Sequence, residues 1–226
     1  MADPADSTAA ATVRDATIAD AQAIADIYAE SVAAGDSTMD RVPWTTQQVV
    51  DKLQAQTDRL ATLVLEAAGR VVGWAMIKQY SERLGYRTCC ETSIYLRRSE
   101  TGRGFGRRLV AAQLERCQRL GYHHIVARIF AENTGSVRFH EQHGFELVGV
   151  QKEIGSVDGR WIDVAILQKV FAGSAPHTSS QAPAGNERSD GPPNDGPPND
   201  GAPSDSVTAK IVGDDELLDG TPSAPD

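Results

Sequence analysis

The sequence predicts one mixed α/β domain over residues 12–171, on three observations. Strand-like and helix-like segments follow in the order β-α-α-β-β-β-α-β-α-β-β, which is not the repeated βαβ of a doubly wound sheet. Turn signals at Gly69 and at Asp158-Gly159 separate apolar runs, as in β-hairpins. From Ala172 onward the composition changes to Pro, Gly, Ser and Asp, with the unit D-G-P-P-N at Asp190 and Asp195 decaying to D-G-A-P-S at Asp200. Such a segment cannot bury enough apolar surface to offset its chain entropy, so residues 172–226 are expected to be a disordered acidic tail, and 1–11 a disordered N-terminus.

The elements are justified in turn. "TVRDAT" at Thr12–Thr17 is a short strand. Asp20 is placed to cap a helix whose stripe is Ala23, Ile24, Ile27, Tyr28, Ser31 and Val32, and Gly35 closes it. Thr45 and Gln48 form a capping-box pair ahead of "QQVVDKLQAQ". "ATLVLEA" and "RVVGWAMIKQY" make the first hairpin, and "CCETSIYL" the next strand. After "TGRGFG" a helix is expected from Arg107 to Leu120, with Gly121 ending it. Its buried side is read as Leu109, Ala112, Leu114, Cys117 and Leu120. "HHIVARIF" is a strand, "NTGSVRFHEQHGF" a short helix with Gly144 past its end, and "FELVGVQKEI" with "GRWIDVAILQKV" the last hairpin.

Composition excludes several classes. The net charge is −9, but the tail holds ten acidic and two basic residues, leaving 21 acidic against 20 basic in the remainder. The domain is therefore nearly neutral, and nothing in this balance suits nucleic acid. Cys89, Cys90 and Cys117 are odd in number, and no C-x-x-C or zinc-ligand spacing exists. That points to reduced thiols, a cytoplasmic setting and no metal. The N-terminus has acids and no apolar core, unlike a signal peptide. No run approaches the 18 or so apolar residues of a membrane span.

The glycine loop carries the chemistry. A Walker loop is ruled out because no Gly-Lys-Ser/Thr follows at the right spacing. A dinucleotide fingerprint would need glycine where Arg107 stands, and would follow the first strand rather than the fourth. What remains is a strand, a glycine loop and a helix start. Backbone amides there converge on an anion, the helix dipole adds favourable potential, and Arg103, Arg107 and Arg108 can screen further charge.

Together, "TGRGFG" before a helix, a glutamate-bearing strand ahead of it, and "ENTGSVRFHEQHGFELVG" after the next strand resemble the GNAT superfamily of N-acyltransferases. Within it, "ATIADAQAIADIYAESV", "YRTCCETSIYL", "NTGSVRFHEQHGF" and "GRWIDVAILQK" look like the phosphinothricin and methionine sulfoximine N-acetyltransferase family, over Val13–Val170. The resemblance implies a mostly antiparallel central sheet flanked by helices, acetyl-CoA as co-substrate, a small amino-acid-like amine as acceptor, and a homodimer. It places the pyrophosphate on Thr101, Gly102, Arg103, Gly104, Phe105, Gly106 and Arg107. It puts the pantetheine arm against Ile94, Tyr95, Leu96 and Asn133, with one of the three strand amides as oxyanion donor. Glu91 and His140 are the implied catalytic residues, and Arg83, Arg87, Cys90, Glu91 and Thr92 the implied acceptor contacts. Three positions depart from the family pattern: Thr101 stands for Gln or Arg, Val157 for a hairpin lysine, and Met39 for an aromatic residue.

Read on their own, His143 is a helix-end residue favoured by the dipole, His123 and His124 open a strand, and Trp44 and Trp74 are core. No context recommends a cysteine nucleophile. Two other readings share these residues: a non-catalytic acyl-CoA sensor, and an acetyltransferase for a protein amine or polyamine.

Overall fold

The computed structural model of the protein describes residues 11–173. The expected disordered segments, 1–11 and 172–226, lie outside the described residues except for Ala11, Ala172 and Gly173. Seven strands form one sheet: β1 (Thr12–Asp15), β2 (Ala61–Ala67), β3 (Arg70–Gln79), β4 (Cys89–Leu96), β5 (His124–Phe130), β6 (Glu146–Val157) and β7 (Arg160–Val170). Among the described residues, four α-helices accompany them: α1 (Ala21–Ala34), α2 (Thr46–Gln54), α3 (Phe105–Arg119) and α4 (Thr134–Gln142). The strand order is β1-β2-β3-β4-β5-β7-β6. Every pairing is antiparallel except β4 with β5.

Alternation along the strands makes two cores. Val64 and Trp74 pack with Ile24, Ile27 and Tyr28 of α1 and Val49 of α2 on one face. Leu63, Leu65 and Ala75 pack with Phe105 and Leu109 of α3 on the other. Further along, Cys117 of α3 and Val137 of α4 join Ile125, Ala127 and Leu167. No helix among the described residues is long and apolar enough to cross a membrane.

The turns follow the local chemistry. Both hairpins use two residues at positive φ, Ala68-Gly69 (50° and 73°) and Asp158-Gly159 (49° and 74°), the twist that suits tight hairpins. The Thr45–Gln48 capping box forms, and Gly35 closes α1 in the left-handed region. Asp20 behaves differently. It stands at the start of α1, but its carboxylate takes hydrogen bonds from Arg14 and from the Thr17 amide rather than capping the helix. The Arg14 guanidinium holds that carboxyl down to about 2.

Helix α3 begins at Phe105, two residues before the expected start, because Gly104 at φ 81° already provides its cap position. Gly106 is thus helical. A side chain there would press on Phe139 at 3.3 Å, so this glycine serves packing, not loop flexibility. Val110 and Gln113 are also buried on this helix, whereas Ala112, Leu114 and Leu120 are only partly so. Gln113 donates to the carbonyls of Met76 (2.9 Å) and Ser93 (3.0 Å), tying α3 to the middle of β3 and β4.

Candidate active site

Strands β4 and β5 pair only at Cys89–His124, Cys90–Ile125 and Glu91–Val126. Beyond Glu91 they splay. In the β3–β4 ladder the Arg97 amide donates to the Val72 carbonyl, and the Tyr80 amide to that of Cys89. Odd-numbered residues of β4 therefore turn their backbone groups toward β3, and even-numbered ones turn away. Ile94 and Leu96 present their backbone groups to the gap. Tyr95, expected to share that role, has its amide on the β3 side.

A narrow cleft of about 60 Å³ occupies the splay, lined by Thr92–Tyr95, Ala127–Phe130, Ser37, Asn133, Ser136 and His140. The Asn133 side chain accepts from the Ser136 amide (3.0 Å) as the cap of α4 and donates to the Asp36 carbonyl (3.3 Å). His140 is buried, and its Nδ1 lies 2.8 Å from the Ser136 carbonyl. A carbonyl only accepts, so Nδ1 carries the hydrogen and Nε2 of the neutral ring keeps a lone pair. Burial pushes the His140 pKa below the ordinary imidazole value, and the nearby His143 adds to this. His143 itself faces the Phe139 carbonyl at 2.6 Å at the helix end, as expected.

At one end of β4 the chain turns through Arg98–Glu100 into the glycine loop. Gly102 and Gly104 are left-handed, and no side chain caps the start of α3. The first-turn amides of Phe105, Gly106 and Arg107 are thus available to an anion. Thr101 spends both its hydroxyl (2.9 Å) and its amide (3.4 Å) on the Arg98 carbonyl. Arg103 pairs with buried Glu100, which Arg70 also holds, while Arg108 reaches the Ala11 carbonyl. Arg107 is exposed on the first helical turn.

On the α1–α2 face lies a cavity of about 740 Å³. Its floor is the pocket side of three strands: Trp74, Met76 and Lys78 of β3, Glu91, Ser93 and Tyr95 of β4, and Arg128 and Phe130 of β5. Its walls include Tyr28, Met39, Asp40 and Trp44, with Ile154 and Gly155 of β6. Ser37, Ser93, Tyr95, Arg128 and Phe130 line this cavity and the cleft alike, so the two meet through the gap in the sheet. Among the described residues, buried Ser37 Oγ and Trp74 Nε1 on this lining have no hydrogen-bond partner.

Glu91 sits on the cavity floor, buried, between Lys78 (3.0 Å) and Arg128. Tyr28 donates to Asp40, and burial raises its pKa first, that hydrogen bond second. Burial likewise pushes the Tyr95 hydroxyl up to about 12. Met39 touches Gly155 and shares a small cluster with Val157, so two of the three departures from the family pattern are neighbours in space.

Glu91, Thr92, Ile94, Tyr95, Asn133 and His140 are brought to the two adjoining cavities. Cys90 is not: it points to the α3 side, fully buried, with Sγ 3.8 Å from Cys117, because its neighbour Glu91 takes the cavity face. The Cys117 contact and burial raise its pKa far above the ordinary thiol value, and burial pushes Cys89 up to about 11, so neither is an activated thiolate. Arg83 and Arg87 lie on the exposed loop between β3 and β4 and line neither cavity.

Sequence reasoning passed over Lys78, Arg128, Asp40 and Ser37. A signal existed for the first two, since each is a cation next to apolar residues within a strand, an arrangement that asks for a partner. Their convergence on Glu91 depends on strand register, which one-dimensional patterns do not specify.

Residues 13–166 match the family model described as an acetyltransferase (GNAT) domain. The chain is 31% identical over 160 residues to the L-methionine sulfoximine/L-methionine sulfone acetyltransferase of Pseudomonas aeruginosa, covering 70% of this chain and 93% of that protein. It is 33% identical over 162 residues to the phosphinothricin N-acetyltransferase of Alcaligenes faecalis, covering 71% and 82%. Among solved structures, the phosphinothricin acetyltransferase of Sinorhizobium meliloti in complex with acetyl-CoA superposes with a TM-score of 0.70 at 32% identity, over 75% of this chain and 94% of that one.

Proposed function

Because the chain belongs to the GNAT acetyltransferase family, we propose that it transfers an acetyl group from acetyl-CoA to the amine of a small amino-acid-like acceptor of the phosphinothricin or methionine sulfoximine type, by direct attack in a ternary complex. The observation that carries this reading is the meeting of a cleft and a cavity at the β4–β5 gap, with His140 in one and Glu91 in the other.

The residues of the cleft fit the cofactor. The uncapped start of α3 and the two left-handed glycines offer amides to a pyrophosphate, and the even-numbered backbone groups of β4 offer strand-like hydrogen bonds to an arm lying in the splay. Acetyl-CoA, when bound, supplies an activated thioester. The Ile94 or Leu96 amide is then the candidate donor to negative charge on its carbonyl oxygen.

On the other side, Glu91 accepts one contact per oxygen from its cations and keeps a second lone pair on each for an acceptor ammonium. His140, which lines the adjoining cleft, is assigned the proton, taken up at Nε2 directly or through water. The new C–N bond forms as the thioester C–S bond breaks, and the amine's proton balances the thiol released.

The test is thiol release from acetyl-CoA by purified protein over a panel of amines, with the acetylated product identified by mass. Glu91→Gln is expected to lower kcat/KM for the acceptor about 100-fold while leaving acetyl-CoA affinity within about twofold. Equal loss of both would remove the role given to Glu91.

A further inference from the structure

Resting on the acetyltransferase reading above, we propose that Lys78 and Arg128 are specificity-determining residues that select an acceptor carrying a second anionic group, a phosphinate or carboxylate side chain, over one whose side chain is uncharged. The first observation is which groups face the cavity. The Glu91 side chain is 10% exposed, whereas Lys78 is 45% and Arg128 53% exposed. Most of the exposed charge on this wall therefore belongs to the two cations, with Glu91 still on the cavity lining beside them.

The second observation is donor capacity. Lysine has three N–H donors and arginine five, in a planar fork that matches an oxyanion bidentately. The structure shows one ion-pair contact from each to Glu91.

The third is the charge balance. The cavity is lined by Lys52, Lys78 and Arg128 against Asp40 and Glu91, an excess of one positive charge. Asp40 is already engaged by the Tyr28 hydroxyl. A polyamine would bring more positive charge to this wall. A zwitterion with an uncharged side chain leaves the excess standing. An amino acid with an anionic side chain cancels it. Register sets the arrangement: Lys78 lies directly across from Glu91 in the β3–β4 ladder, and Arg128 is two residues beyond Val126, the β5 partner of Glu91.

The experiment compares kcat/KM of the full chain with acetyl-CoA for phosphinothricin, methionine sulfone and spermidine, repeated on Lys78→Met, Arg128→Gln and Arg128→Lys. The wild type is expected to favour phosphinothricin over methionine sulfone about tenfold or more, with spermidine last, and added salt is expected to shrink the preference. Arg128→Gln and Lys78→Met should each reduce the phosphinothricin-to-sulfone ratio by about tenfold, and Arg128→Lys should restore part of it. Because the readout is a ratio of two acceptors on one protein sample, partial loss of folded protein does not move it. A wild type that favours the sulfone or treats the two alike overturns the inference and leaves the acetyltransferase reading intact, as does a ratio unchanged in both charge-removing variants. No thiol release with any acceptor overturns the acetyltransferase reading, and this inference with it.

Discussion

His140 shows how one residue's surroundings set its chemistry. Its Nδ1–H is fixed on the Ser136 carbonyl, its ring packs edge-on against Phe139 and Phe145, and burial depresses its pKa. The unfolded chain therefore takes up this proton at higher pH than the folded one. Stability is fully present above the ordinary imidazole value of about 6.5 and is lost as pH falls toward the depressed folded value. His124, lowered by burial and by its neighbour His123, acts in the same direction. Thermal melts between pH 8 and pH 5 should show a falling midpoint on the acid side, with a shallower fall in His140→Gln. Identical pH dependence in the two proteins would remove His140 from this account. The histidine itself was readable from its motif; the free Nε2 was not, since it follows from which carbonyl the ring meets.

At the level of elements, the site depends on one strand keeping two allegiances. β4 must stay registered on β3 while leaving β5 after Glu91. Gly73 secures the first condition. A methyl there would lie 2.3 Å from Leu96 Cδ2 and 2.9 Å from the Tyr95 carbonyl, so β4 or α3 must shift to admit it. Gly73→Ala is expected to cost about 1–3 kcal/mol, read from the denaturant midpoint, and to weaken acetyl-CoA binding because Leu96 borders the gap. Unchanged stability would mean that the strand yields more easily than the packing indicates. Strand and helix identities were legible because periodicity and turn residues are local. The splay was not, because "CCETSIYL" reads the same whether or not a neighbour follows it to the end.

At the scale of the whole molecule, the exposed edge of the sheet bears on assembly. β6 ends the sheet, and Leu147, Val148 and Ile154 on it, with Trp161 on β7, are half or more exposed. A long apolar edge invites a partner strand unless it is covered or interrupted. The bulges between Leu147 and Gly149 and between Gln151 and Gly155 interrupt the ladder without covering these side chains. The family resemblance implies a homodimer, and this edge is the surface we expect it to use. Light scattering should give twice the chain mass for the wild type, and Ile154→Lys with Trp161→Glu should shift it toward monomer. A dimer insensitive to both changes would place the interface elsewhere.

By itself the sequence determined the order of elements, both hairpin turns, the glycine loop at a helix start, and Glu91 and His140 as the residues to watch. These rest on local preferences and short spacings, which a single chain displays. Only the tertiary structure decided which face of β4 each residue takes. It turned Cys90 into the core, left Arg83 and Arg87 outside, put the Tyr95 amide on the β3 side, and set Lys78 and Arg128 on either side of Glu91. Those outcomes depend on strand register and on where two parallel strands part, and register is fixed by packing between segments distant in sequence. The "TGRGFG" loop shows both halves of that division: a glycine loop at a helix start was visible in the letters, but the cleft in the splayed sheet and the cavity adjoining it exist only in the fold.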